Sequence, residues 1–191
     1  MPLLLALSAC VSFRGGELGD APVLEPRADP PSVAVVVTAY DVFPERRDIP
    51  ALPAWTEWVM DGYTESGLFR EVRSGFGDAD LHVEVTLERR DESNLALATL
   101  SGLTLTVFPA WGSAELTMIS RFRDGQGNEL VTTRKKESVH IWIQLLLIFA
   151  LPFGYPPVVS ANVMQDLVLH SLAEAAPHFE RAPDAGTVAG R

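Results

Sequence analysis

Apolar and polar positions alternate most plainly between Ala79 and Arg90. There Leu81, Val83, Val85 and Leu87 interleave with His82, Glu84, Thr86 and Glu88. A period of two puts one set on a buried face and the other in water, so the stretch predicts a half-buried strand. Ser32 to Tyr40, SVAVVVTAY, is a continuous β-branched run instead, which suits a strand buried on both faces. Leu68 to Arg73, LFREVR, and Leu103 to Phe108, LTLTVF, also carry strand chemistry. Glu115 to Arg123 and Glu129 to His140 flank Asp124-Gly125-Gln126-Gly127-Asn128. That composition predicts a hairpin, because glycine accepts the positive φ that tight turns demand.

Two stretches follow the helical period. Leu52, Trp55, Val59, Met60 and Tyr63 share one face of a helix over Leu52 to Ser66. Pro53 fits its first turn and Gly67 stops it. Val163, Met164, Leu167, Val168, Leu172 and Ala175 form the stripe of a second helix over Val158 to Ala176. Ser160 or Asn162 is its candidate cap, and Pro177 ends it. Asp41 to Pro50 reads as a polar loop, and Asp91 to Leu100 fits neither period. The order strand, helix, strand at the start favours a parallel pair. The expected class is α/β (α+β), a single mixed sheet with two main helices packed on one face.

Ile141 to Phe153, IWIQLLLIFALPF, breaks both patterns. It carries Ile141, Trp142, Ile143, Leu145, Leu146, Leu147, Ile148, Phe149, Leu151 and Phe153. At ~1.5–3 kcal/mol per buried side chain, leaving these in water would forfeit roughly 15 kcal/mol or more. The segment therefore needs cover from the core, from lipid or from a partner. It falls short of the ~20 residues of a membrane span. Core burial is the first reading. A membrane-dipping loop and an oligomer interface stay open, with Trp142, Leu146, Phe149 and Phe153 as the contact residues. Trp142 and Tyr155, at its two ends, suit headgroup depth.

The N-terminus adds the most specific signal. Leu3, Leu4, Leu5, Ala6 and Leu7 run into Ser8, Ala9 and Cys10, the chain's single cysteine. Leu7-Ser8-Ala9-Cys10 resembles the bacterial lipobox. In lipobox proteins the preceding peptide is removed, the thiol carries a diacylglycerol and the new amine is acylated. Cys10 is thus the expected lipidation site. No Lys or Arg precedes it and the apolar run is short, so the expected start of translation lies upstream of Met1. More than one acyl chain gives stable anchoring. Val11, rather than Asp, follows the cysteine and leans towards the outer membrane, with the domain facing the periplasm. Phe13 to Pro31, rich in Gly, Pro and acidic residues, reads as a disordered tether. The expected organisation is residues 1–9 as a signal-peptide remnant, 10–31 as lipidated cysteine and tether, 32–179 as one α/β domain, and 180–191 as a disordered tail.

Charge narrows the partners. The chain has 191 residues, 47% hydrophobic, with formal net charge −10 and pI near 4.8. That balance argues against nucleic acid, which needs a basic footprint. "SGLF" after the first helix, the "ADLHVEV" strand, the "DGQGNEL" hairpin and a closing helix together resemble the small α/β domains of proteobacterial envelope lipoproteins. These are the ABC-transport auxiliary, curli-secretion and TolB N-terminal group. The resemblance covers about residues 32–176. It implies a mixed sheet with helices on one face and a role in envelope assembly or transport, and it carries over only Cys10.

Catalytic chemistry is poorly represented. His82 and Glu84 form H-x-E, but a zinc deaminase also needs a later P-C-x-x-C. A solvated strand face is the better reading. Asp166 and His170 stand four apart on the last helix and read as a surface pair. His140 and His178 lack ligand spacing. No G-x-S-x-G and no phosphate-cradling glycine motif occurs, so no cofactor or metal is implied. Arg121, Arg123, Arg134, Lys135 and Lys136 cluster on the hairpin. They read first as a charged edge that resists strand addition and second as an anionic-headgroup contact. The expectation is a lipid-anchored, non-enzymatic protein that binds or scaffolds envelope components, with a homo-oligomer open. A hydrolase or other small-molecule enzyme with a site between sheet and helices, and an oligomeric membrane-inserting secretion component, are the alternatives.

Overall fold

Leu81, Val83, Val85 and Leu87 point into the core, as their alternation predicts, and their strand is the middle of one mixed sheet. The computed structural model describes residues 9–42, 47–49, 53–93, 95–104, 107–144 and 154–179. Strands β1 (Ala9–Arg14), β2 (Ser32–Asp41), β3 (Arg47–Ile49), β4 (Glu71–Ser74), β5 (Leu81–Ser93), β6 (Ala110–Asp124) and β7 (Glu129–Gln144) share that sheet. Their order is β1-β7-β6-β5-β2-β3, with β4 also on β2. β2 runs parallel to β5 and to β4, while the β5–β6, β6–β7 and β7–β1 pairs are antiparallel.

Helix α1 (Pro53–Glu65) packs against α3 (Pro156–Phe179), and their apolar stripes close over one side of the sheet. Trp55, Val59 and Tyr63 meet Val163, Met164, Leu167, Val168 and Leu172 above Val83, Val85, Met118 and Phe122. Gly62 permits the crossing, since a Cβ there would lie 3.1 Å from Val168 Cβ. A third, shorter helix, α2 (Leu95–Leu103), contacts β6. The expected class, a mixed sheet with two main helices, is therefore present.

The hairpin forms where its turn chemistry places it. Asp124 Oδ1 accepts from the amides of Gln126 and Asn128 at 2.9 and 2.8 Å, and Gly127 takes φ 86°. The Asn128 side-chain amide donates to Asp124 Oδ2 at 2.8 Å, and these bonds hold the Asp124 carboxyl below its ordinary range.

Several expectations change. The stretch read as lipidated cysteine and tether is not all tether, because residues 9–14 pair with Val139–Gln144 as an edge strand. Beyond β1, Leu18 and Leu24 rest on the core and Arg27 lies over the Phe179 ring. The open edge of β7 supplies hydrogen bonds that composition alone does not report. LTLTVF is not a strand in the described residues. Leu103 ends α2, Thr104 Oγ1 donates to the Leu100 carbonyl, and 105–106 lie outside the description. Leu and Ala dominate LALATLSGL, and their helix propensity extends into it.

Helix α3 begins at Pro156, so neither Ser160 nor Asn162 caps it, and it continues through Pro177 to Phe179. Proline so near the end interrupts only the final turn. Phe179 is buried, its ring tilted against Phe122 at 5.4 Å and Phe69 at 6.2 Å between centroids, which offsets that loss. Of the apolar segment, Ile141–Gln144 is the end of β7. Residues 145–153, with Leu146, Phe149 and Phe153, lie outside the described residues, as does 180–191.

Candidate functional site

β1 positions the two residues of most interest. Cys10 sits opposite Ile143, and Ile143 opposite Ala110, at one end of the sheet. The next row is Val11, Trp142 and Trp111. Val11 is wholly buried, whereas Trp142 and Trp111 keep 46% and 54% of their surface exposed. Burial pushes the half-buried Cys10 thiol up from its ordinary pKa.

Arg14 closes the strand with a polar clasp. Its Nε donates to Glu137 Oε2 at 2.8 Å, and its Nη1 pairs with Asp166 on α3. Glu137 is completely buried on β7. Its carboxylate also accepts from the amides of Glu17, Leu18 and Ser138 at 3.0–3.1 Å. Burial alone would raise this carboxyl, but Arg14 and the three amides outweigh it and hold the group below the usual range. The clasp ties the segment after Cys10 to the sheet and to α3. Between β1 and α3 lies an open groove of about 450 Å³, lined by Ser12, Phe13, Arg14, Asn162 and Asp166.

The sequence-derived pairs are separated or neutralised. Asp166 pairs with Arg14, while His170 Nε2 is buried with no hydrogen-bond partner, so the expected surface pair does not form. His82 and Glu84 border a cavity of about 130 Å³ with Arg123 and Phe76. Glu84 there accepts from Arg123 at 3.0 Å and Arg121 at 3.3 Å. Each member of the basic cluster meets an acid. Arg134 pairs with Glu88, Lys135 with Glu174 on α3, and Lys136 with Glu115. Such exposed pairs contribute little stability, but they leave a salt-laced sheet face rather than a bare cationic one. Among the described residues no group of three or more His, Cys, Asp or Glu is placed to hold a metal ion.

No protein-family model matches the chain, and no curated protein does. Solved structures do. A minor lipoprotein from Acinetobacter baumannii matches at TM-score 0.43 and 11% identity, over 76% of this chain and 90% of that one. A PelC dodecamer from Paraburkholderia phytofirmans matches at 0.39 and 12%, over 87% and 95%. A homologue of a neuraminyllactose-binding hemagglutinin from Helicobacter pylori matches at 0.43 and 8%, over 87% and 94%. At these values no residue role passes from them to this chain.

The structure thus places Cys10 and Trp142 in successive rows of neighbouring strands, and adds Trp111, Phe13, Arg14 and Glu137, which periodicity did not single out. Glu137 carried one legible signal. It shares a sheet face with Thr133 and Val139, both buried, so a lone acid stands at a core position of β7. Arg14 carried none, lying in a stretch without apolar period.

Proposed function

We propose that this chain is a lipid-anchored, non-enzymatic envelope protein, acylated at Cys10, whose domain binds or scaffolds other envelope components. The outer membrane is the proposed site of the anchor, with the domain in the periplasm. The single observation that carries the reading is the lipobox-like Leu7-Ser8-Ala9-Cys10, read with the position of its cysteine as the second residue of an edge strand. Cys10 is half-buried at that strand end and belongs to no part of the buried core. The sheet face with its paired charges supplies a polar surface for protein partners.

Growing cells with an alkyne fatty acid and reading its incorporation tests the anchor. Label on the wild-type chain and none on Cys10→Ala is the expected outcome. Equal labelling of the two, or none on either, overturns it. A second copy of this chain is among the partners proposed, which crosslinking in cells would detect at twice the protomer mass.

A further inference from the structure

The chain holds 15 Lys and Arg and 25 Asp and Glu, yet none falls in residues 1–13, 93–114 or 138–165. These three stretches are far apart in sequence. Strand pairing gathers them, because the register joins residues 9–13 of β1 to 140–144 of β7, and 139–143 of β7 to 110–114 of β6. The sheet is therefore divided along its strands. Across β1, β7 and β6 one half carries Glu115, Arg121, Arg123, Arg134 and Lys136, and the other carries no formal charge, with Asp91 and Glu92 of β5 along its border opposite Ala114 and Ser113.

Among the described residues, this uncharged corner keeps a large aromatic surface open to solvent. Trp111 and Trp142 lie directly opposite each other and stand about half exposed, with Phe13, Phe108 and Tyr155 also exposed in the same charge-free stretches. Charged side chains border soluble interfaces, and their absence over an aromatic surface suits a medium that solvates neither sign. Tryptophan and tyrosine, with an apolar body and a polar edge, favour the headgroup boundary. Five residues of strand at ~3.3 Å each reach about 17 Å, more than the ~5–10 Å that interfacial segments penetrate.

We propose that this β1–β7–β6 corner of the sheet docks on a lipid bilayer, seating Trp111 and Trp142 at headgroup depth, so that the domain lies against the membrane. The chain's own path favours a bilayer over a second copy, since Cys10, the proposed acylation site, is the second residue of β1 and lies in the row next to Trp142. The inference deepens the envelope reading above, since it needs a bilayer within reach, but it does not need acylation. The tryptophan rows carry no basic group and are bordered by Asp91 and Glu92, so neither anionic lipid nor low salt strengthens the contact.

The test uses the full chain with Cys10→Ala, so that no acyl chain is present, and phosphatidylcholine vesicles with or without brominated acyl chains. Tryptophan emission should fall to roughly half with brominated lipid, because two of the 4 tryptophans lie at this end. In Trp111→Phe/Trp142→Phe the remaining Trp55 and Trp58 of α1 should not be quenched. Trp111→Glu/Trp142→Glu, checked for unchanged circular dichroism, should lose flotation with vesicles about 10-fold or more. Replacing a third of the lipid by phosphatidylglycerol should not strengthen binding, and raising the salt should not weaken it. Absence of quenching overturns the proposal. So does flotation that survives the double Glu variant, which would assign binding to residues 1–9. Self-association in vesicle-free sedimentation that the double Glu variant abolishes would assign the face to a second copy instead. Failure of fatty-acid labelling leaves these readouts untouched, so the two proposals fail separately.

Discussion

The carboxylate of Glu137 meets the guanidinium of Arg14 across 123 residues of chain, with Nε donating to Oε2 at 2.8 Å and the acid shut off from solvent. This contact makes the N-terminal strand part of the folded unit. Removing Arg14 would leave a buried carboxylate without its cation. Arg14→Ala is therefore expected to lower unfolding stability by about 3–5 kcal/mol in urea titrations. A loss below about 1 kcal/mol would mean that water or Glu137 protonation replaces the arginine at little cost.

The same carboxylate sets an acid response. Its folded pKa lies below the ordinary 4.5, despite burial, because Arg14 and the amides of Glu17, Leu18 and Ser138 hold its charged form. A depressed folded value contributes stability that is present above the unfolded value and disappears as pH falls through the lower folded one. Asp80 acts in the same direction below 3.8, held by the Ser32 amide and hydroxyl and by Arg70. Melting temperature should hold down to about pH 5 and then fall steeply towards pH 3. Glu137→Gln should start lower at pH 7 and fall less. Parallel curves for the two proteins would remove Glu137 from this account.

Gly154 runs against β1 so closely that its carbonyl accepts from the Ser12 amide at 2.8 Å. A Cβ there would stand 2.4 Å from Val11 Cγ1 and 2.9 Å from the Ser12 carbonyl oxygen. Gly154→Ala must push the chain off the strand. We expect a cost of about 1–3 kcal/mol and faster amide exchange at Ser12, with the α1–α3 core unchanged. Wild-type exchange at Ser12 in this variant would contradict the close approach.

Tyr63 is fully buried on α1, and its hydroxyl and that of Ser120 lack well-formed hydrogen bonds although they stand near each other. Burial raises the phenol far above its ordinary value, so it stays protonated across the physiological range. Tyr63→Phe gives up little and should change stability by less than about 1 kcal/mol. Tyr63→Ala empties the space beneath α3 and should cost about 3–5 kcal/mol. Denaturant midpoints of the two variants separate a packing role from a polar one.

The elements legible in advance share one property. In β5, in the β6–β7 hairpin and in α1 and α3, local periodicity reports which side chains are buried. β1 was hidden because ACVSFR is short and runs straight into a stretch of glycine, proline and acidic residues. Its strand state comes from the unpaired edge of β7. LTLTVF misled for the opposite reason, since strand-like side chains sat at the end of a helix-forming run. Trp142 was singled out from composition, whereas Trp111 became its neighbour only through the β6–β7 register.

By itself the sequence determined the class of fold, the hairpin and its turn, the two packed helices and a single lipobox-like cysteine. These follow from spacing within a few residues, where backbone geometry turns a pattern directly into a buried face. Only the tertiary structure decided that the first strand belongs to the sheet, that Arg14 neutralises Glu137, and that three uncharged stretches end up side by side. Those outcomes depend on pairing between residues about thirty to more than a hundred apart. Hydrogen-bond register and the cost of burying an unpaired charge select such pairing, and neither leaves a periodic mark on the chain.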